Sequence, residues 1–160
     1  MTKKLFADSG FFIGLIAESD DHHQESEDIL QHLKDKRLIS DWSDLYISNY
    51  IIMEVLHGLA KKGLQFDQLV ETYERLKLCH LRNVRSNHID EAIKNKLQFR
   101  NHKSNKSKIG FVDATSLVIM DKQNIDCIIS FDSHFDNLPE FYTRIYNSSI
   151  IDKNVLGLRR

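Results

Sequence analysis

Lys4-Leu5-Phe6-Ala7-Asp8 is a short apolar run that ends in an acidic residue, and Ser9-Gly10 opens a second apolar stretch directly after it. This pattern predicts a strand over about residues 4–8 and a helix that begins just after it. Further along, Asp126-Cys127-Ile128-Ile129-Ser130 has the composition of a buried strand and leads through Phe131 to Asp132. Two apolar strands are therefore each followed by an acid.

The rest of the chain alternates between strand and helix patterns. Further strands are predicted near residues 45–47, 80–84 and 144–146, and helices from residues 19–21, from residue 49, and over about 65–77, 87–100 and 112–123. In the 87–100 helix we expect the apolar residues to face inward, namely Ile89, Ala92, Ile93 and Leu97. This alternation indicates an α/β domain around a mostly parallel central sheet flanked by helices.

Composition limits the classes of function. A length of 160 residues fits one domain, and a net charge of −1 excludes a basic surface over the whole protein, so any nucleic-acid contact must come from local patches. No apolar stretch approaches the ~20 residues that span a bilayer. Cys79 and Cys127 lack metal-ligand spacing and are interpreted as ordinary buried thiols. We therefore expect a cytoplasmic protein that resides in a reducing compartment.

Four acidic residues are candidates for a shared site. Asp8 and Asp132 should project at the carboxyl edge of the sheet, where ligands of such folds bind. Asp113 starts a helix after a loop, and Glu54 lies off the apolar stripe of the helix that follows the second strand. With 23 acids in 160 residues, about one position in seven, Asp113 alone could be an ordinary helix-start charge and Asp132 alone a turn residue. Their combination favours a common site.

The residue types indicate the chemistry of such a cluster. Carboxylates a few ångströms apart repel one another, and a divalent cation removes that penalty. Oxygen-only ligands select Mg²⁺ or Mn²⁺ rather than zinc, and neither His nor Cys stands at zinc spacing around these acids. Because Mg²⁺ keeps several waters and binds phosphate oxygens of substrates, the pattern predicts phosphodiester hydrolysis.

Four segments in succession resemble the motifs of PIN domains, most of all those of VapC-type toxin ribonucleases from type II toxin–antitoxin systems. They are Phe6-Ala7-Asp8-Ser9-Gly10-Phe11-Phe12-Ile13, Ser48-Asn49-Tyr50-Ile51-Ile52-Met53-Glu54-Val55-Leu56-His57-Gly58-Leu59, Phe111-Val112-Asp113-Ala114 and Ile129-Ser130-Phe131-Asp132-Ser133-His134-Phe135. The resemblance runs from residue 4 to about 146. It implies a three-layer nuclease domain over residues 1–146, with residues 147–160 as a tail packed on it or trailing from it.

What the resemblance implies about function is specific. It implies an endoribonuclease that depends on Mg²⁺ or Mn²⁺, with Asp8, Glu54, Asp113 and Asp132 as catalytic and metal-binding residues. It also implies a homodimer and inhibition by a cognate antitoxin protein. The substrate would be RNA, for which transfer RNA or another structured RNA is a candidate.

Two further groups of residues are candidates for substrate binding. Ser9 and Ser130 could assist near the metal or phosphate, although capping and turn hydrogen bonds explain them equally well. Lys103, Lys106 and Lys108 lie in a basic segment that precedes Asp113. Such lysines could hold an RNA backbone by charge, or the segment could be an ordinary solvated loop.

Other interpretations are weaker. A haloacid-dehalogenase-like phosphatase needs a second Asp two residues after Asp8, where Gly10 stands, and no acidic pair accompanies Asp8 as in a phospho-receiver domain. No glycine-rich phosphate-binding motif is present. A PIN-domain nuclease that processes RNA without an antitoxin, and a non-catalytic PIN-like binding module, stay open. His22 and His23 are interpreted as helix surface, since adjacent helical side chains point ~100° apart, and Trp42 as a packing residue.

Overall fold

The fold is built on one parallel sheet. A computed structural model describes residues 3–99, 109–136 and 142–152. Within them, five three-residue strands form the sheet in the order β3-β2-β1-β4-β5, with every neighbouring pair parallel. The strands are β1 Leu5–Ala7, β2 Tyr46–Ser48, β3 His80–Arg82, β4 Cys127–Ile129 and β5 Thr143–Ile145. The predicted α/β class with a parallel sheet is confirmed.

Helices connect these strands and flank the sheet. They are α1 Ser9–Ile16, α2 His23–Asp35, α3 Asn49–Lys61, α4 Phe66–Leu76, α5 Ser86–Phe99 and α6 Phe111–Gln123. Helix α1 packs against α2 and α3, α3 packs against α4, and α5 packs against α6. In the part of the chain that the structure describes, short 3₁₀ helices cover Trp42–Asp44 and Ser133–Phe135.

The core lies along β1 and β4, whose residues are all buried. Continuous apolar strands of this kind suit a parallel sheet covered on both faces. Cys79 and Cys127 are free thiols buried in this core, as expected. Burial raises the pKa of both to about 12, so neither is a reactive thiolate at neutral pH. Trp42 is also buried, packed on Phe12, in agreement with its predicted role.

The helix starts follow the sequence signals at α3 and depart from them at α2. Helix α3 begins at Asn49, as predicted, and Ser48 caps it, its Oγ accepting from the backbone N–H of Ile51 at 3.2 Å. The expected start of α2 at residues 19–21 is wrong, because α2 begins at His23 with His22 as its N-cap. The Asp20 carboxylate instead accepts from the His22 N–H and pairs with Lys62. It therefore stabilises a turn before the helix.

Some apolar side chains do not face inward. Ala92 is buried as expected, but Ile93 is 41% exposed, and the side chain of Leu97 lies outside the described residues. On α4 the apolar stripe is mostly exposed at Phe66, Val70 and Tyr73. The spacing of these residues places them on one face of the helix but does not indicate whether the domain covers that face.

The beginning of the predicted tail lies against the domain. Ile151 is fully buried in the main core. Asp152 contacts α2, where its carboxylate lies 3.1 Å from His32 Nε2 and 3.1 Å from Lys36 Nζ. The domain boundary at residue 146 stays a prediction. No helix in the described part of the chain is long and apolar enough to cross a membrane.

The strand order determines where a site can form. Strands β2 and β3 lie on one side of β1, and β4 and β5 lie on the other. The order therefore reverses between β1 and β4, and parallel sheets bind ligands at the carboxyl ends of strands at such a point. The chain segments that follow β1 and β4 carry Asp8 and Asp132.

Candidate active site

Asp8 lies at the switch point between β1 and β4 and is 8% exposed. Because Ala7 is in register with Ile129, Asp8 comes to lie beside Ser130. Its Oδ2 accepts from Ser130 Oγ at 2.7 Å, and its Oδ1 accepts from the backbone N–H of Ser9 at 2.8 Å. Burial raises the pKa of Asp8 in spite of these two hydrogen bonds.

Ser130 also connects Asp8 to Asp132. The Ser130 hydroxyl is buried, donates to Asp8 and accepts from the backbone N–H of Asp132 at 3.1 Å. Asp132 in turn caps the short 3₁₀ helix, its Oδ1 accepting from the backbone N–H of His134 at 2.8 Å. The ring Nδ1 of His134 lies 3.1 Å from the same oxygen. One hydroxyl therefore bonds both to the carboxylate of Asp8 and to the backbone of Asp132.

Asp113 lies in the first turn of α6, and its pKa is strongly raised. Its pKa is raised to about 7, first by burial and then by the charges of Asp8, Asp132 and Glu54. A hydrogen bond with the backbone of Gly110 opposes this shift without cancelling it. Asp113 therefore lies within electrostatic range of all three other predicted acids.

Glu54 faces the same cluster from α3. Burial raises its pKa, a hydrogen bond with the Ser9 side chain opposes that shift, and the charge of Asp8 adds to it. Ser9 and Ser130, for which the sequence left capping and site roles equally open, both contact a predicted carboxylate. The structure thus brings together the four acids and the two serines. Lys103, Lys106 and Lys108 lie outside the described residues.

The donors around the cluster suit a hydrated Mg²⁺ or Mn²⁺. They are carboxylate and hydroxyl oxygens, which are the ligands that hard divalent cations prefer. Among the described residues, no three His, Cys, Asp or Glu side chains lie close enough together to hold one ion. This spacing disagrees with a closed cage of protein ligands, but Mg²⁺ usually takes one or two carboxylates and keeps several waters. A cation would also relieve the repulsion that raises the pKa of Asp113.

One feature beside the acids was missed by sequence reasoning. The ring of His22 stacks on that of Phe131, with centroids 4.1 Å apart and planes within 6°. The two residues are far apart in sequence, so no local periodicity could have indicated their contact. The only available signal was the position of Phe131 between Ser130 and Asp132.

Known proteins resemble this chain in sequence and fold. A sequence profile of the PIN domain family matches residues 5–140. The VapC ribonuclease of Archaeoglobus fulgidus is 26% identical over 132 residues, which cover 82% of this chain and 78% of that protein. The solved structure of Mycobacterium tuberculosis VapC20, a sarcin-ricin loop cleaving toxin, has a TM-score of 0.62 and 21% identity. That similarity covers 81% of this chain and 91% of that one, and it concerns the fold.

Proposed function

The chain belongs to the PIN domain family, and we propose that it is a metal-dependent endoribonuclease that hydrolyses RNA phosphodiester bonds at Asp8, Glu54, Asp113 and Asp132. The observation that carries this proposal is the convergence of acids from four separate segments at the switch point of the sheet. The similarity to a VapC ribonuclease supports RNA as the substrate.

The energetic cost of the cluster supports a functional origin. Burial and mutual repulsion raise the pKa of Asp8, Glu54 and Asp113, so their ionised forms destabilise the fold. Perturbed carboxyls of this kind are typical of catalytic sites. A bound cation would compensate for the cost of these ionised carboxylates.

Two serines and two helix N-termini would assist the four acids. Ser130 fixes the orientation of Asp8 through its hydrogen bond at 2.7 Å, and the Ser9 side chain stabilises the ionised form of Glu54. Helices α1 and α6 begin at this edge, and their N-termini favour a bound anion such as the scissile phosphate. When bound, Mg²⁺ or Mn²⁺ would supply an activated water and neutralise charge that develops on the phosphate.

A cleavage assay with a matched acid tests this proposal. Wild type incubated with total RNA or transfer RNA and Mn²⁺ should cleave, whereas Asp8→Asn and Asp113→Asn should not. Asp126→Asn is the control, because Asp126 precedes β4 at the opposite edge of the sheet and pairs with Lys3. Equal cleavage by Asp8→Asn, Asp113→Asn and wild type would overturn the catalytic assignment, and a non-catalytic binding module would then be the better interpretation.

We further propose that the ribonuclease is the toxin of a toxin–antitoxin pair. The structurally similar VapC20 is a sarcin-ricin loop cleaving toxin, and this similarity supports the proposal. Expression of the wild type should arrest growth, and co-expression of a cognate antitoxin should relieve the arrest. Absence of arrest by an active enzyme would favour an RNA-processing nuclease without an antitoxin.

We also propose that the chain forms a homodimer, as the family resemblance implies. The exposed stripe of Phe66, Val70 and Tyr73 on α4 offers apolar surface for a second copy of the chain. Analytical ultracentrifugation should find a dimer for wild type and a monomer for Phe66→Asp. An unchanged dimer in this variant would place the interface elsewhere.

The basic segment before Asp113 is proposed to hold the RNA backbone by charge. Replacing Lys103, Lys106 and Lys108 with Ala should weaken RNA binding and flatten its dependence on salt. Unchanged binding at low and high salt would contradict this role.

A further inference from the structure

The stacked pair of His22 and Phe131 lies at the rim of the acidic cluster. Phe131 stands between Ser130, whose hydroxyl bonds to Asp8, and Asp132. On its other side it lies against α1, since a Cβ added to Gly10 would be 3.6 Å from the Phe131 ring. The ring that supports His22 therefore belongs to the same segment as Asp132, one of the predicted catalytic residues.

His22 is exposed, whereas Phe131 is partly buried beneath it. In a parallel stack with 4.1 Å between centroids, one face of the His22 ring covers Phe131. The other face is directed away from Phe131, and the exposure of His22 leaves it accessible. An accessible flat ring next to a phosphodiesterase site is a surface on which an unstacked nucleobase can pack.

The backbone that carries His22 is fixed by contacts of its own. The His22 N–H donates to Asp20 Oδ1 at 2.9 Å, and Lys62 Nζ lies 2.9 Å from Asp20 Oδ2. The His22 carbonyl accepts from the backbone N–H of Ser26 at 2.9 Å, in the first turn of α2. Helix α1 passes close by, as a Cβ on Gly14 would lie 3.0 Å from that carbonyl. Because the ring rests on a fixed turn, little entropy would be lost when a base stacks on it.

We propose that His22, supported by Phe131, is a base-stacking residue that holds a nucleobase flanking the scissile phosphate of a single-stranded or looped RNA substrate. The inference rests on the proposed ribonuclease function and deepens it. Every base has a flat face, so this contact adds affinity and position with little sequence preference. It also favours unpaired over duplex RNA, because bases within a duplex already stack on their neighbours.

A second exposed histidine stack in the same protein provides a matched control. His80 stacks on Tyr46 with centroids 4.7 Å apart and planes within 24°. Both residues begin their strands, so this pair lies at the amino edge of the sheet, away from the acids. His80→Ala therefore removes the same kind of contact at the amino edge of the sheet, away from the acids.

The test combines kinetics with a fluorescent probe. Single-stranded RNA of about twelve nucleotides, with 2-aminopurine at successive positions, is cleaved with Mn²⁺ by wild type, His22→Ala, His22→Phe and His80→Ala. We expect His22→Ala to raise KM by about 5- to 150-fold, the range that base–aromatic stacking supplies. His22→Phe and His80→Ala should stay near the wild-type KM. At one position, binding to wild type should quench the fluorescence, and His22→Ala should abolish that quenching.

Three other outcomes would contradict either the stacking role of His22 or the proposed ribonuclease function. If His22→Ala cleaves with the wild-type KM and retains the quenching, His22 only covers Phe131. If His22→Phe behaves like His22→Ala, the ring nitrogens rather than the stacking face make the contact, which also overturns the inference. If wild type cleaves no RNA with Mn²⁺, the proposed ribonuclease function fails first. The two failures are therefore distinguishable.

Discussion

Acidic residues at the two edges of the sheet have pKa values that are shifted in opposite directions. At the amino edge, Asp126 precedes β4 and its carboxylate lies 2.8 Å from Lys3 Nζ. Burial alone would raise its pKa, but the hydrogen bond and charge of Lys3 lower it instead. At the carboxyl edge, Asp113 is surrounded by other acids, and its pKa is raised to about 7.

We interpret this difference as one between structural charge and functional charge. A paired surface acid costs the fold little, and its ion pair contributes a small stabilisation. Buried acids near one another destabilise the fold at neutral pH, so packing alone does not explain their presence. The carboxyl edge therefore carries carboxylates that repel one another, whereas the amino edge carries an acid paired with a lysine, as on an ordinary surface.

The largest expected effect is on catalysis at Glu54, the acid that depends most on the family resemblance. Glu54→Gln keeps the size of the side chain and removes its charge, so we expect kcat on RNA to fall by roughly 10²–10³-fold, as when a preorganised electrostatic group is removed. Glu71→Gln on the exposed side of α4 should leave kcat unchanged. Wild-type kcat in Glu54→Gln would remove this residue from the site.

The second effect is on stability and its dependence on pH. The folded-state pKa of Asp113 is raised from 3.8 to about 7, so the ionised residue costs stability above pH 7, and the cost disappears as the pH falls toward 4. Asp113→Asn should therefore raise the free energy of unfolding by about 2–4 kcal/mol at pH 8. Urea denaturation of both proteins at pH 8 and pH 4 measures this difference, which should shrink at pH 4. A variant less stable than wild type at pH 8 would contradict the repulsion.

The sheet, and the positions of two of the four acids at its edge, could be predicted from the sequence for one physical reason. A strand covered on both faces needs a continuous apolar run, and the first acid after it marks the sheet edge. Asp8 and Asp132 could be placed in this way. Glu54 could not, because a half-buried acid on an amphipathic helix has the same periodicity as a surface acid. Asp113 had only a helix start to support it.

The missed features all depend on contacts between distant segments. Helix α2 begins late because Asp20 pairs with Lys62 from the end of α3, and no local pattern reports that pair. The stack of His22 on Phe131 has the same character. On α4, helical spacing places Phe66, Val70 and Tyr73 on one face, but only the packed structure reveals that Phe66 is 81% exposed.

The third effect is expected when a lysine is placed beside Asp113 at the carboxyl edge. Gly110 is exposed, and a Cβ added there would lie 3.4 Å from Asp113 Oδ2. Wild type should be stabilised by Mn²⁺, by about 2.7 kcal/mol at a concentration 100 times the dissociation constant. In Gly110→Lys the ammonium should replace the cation, so the rise in Tm with Mn²⁺ should be largely lost. Gly110→Gln, of similar length and uncharged, should retain it. Equal Mn²⁺ responses in the two variants would argue against a cation site at these acids.

The smallest effect is expected at the amino edge. Lys3→Gln removes the partner of Asp126, and because the pair is largely exposed the free energy of unfolding at pH 7 should fall by about 1 kcal/mol or less. Since Lys3 lowers the folded-state pKa of Asp126, this contribution is present above the unfolded pKa and disappears as the pH falls through the folded one. Wild type and variant should therefore converge near pH 2 in urea denaturation, with equal kcat on RNA and equal Mn²⁺ responses at pH 7. A changed kcat or Mn²⁺ response would couple the amino edge to the acids at the other edge, and the division between structural and functional charge would then fail.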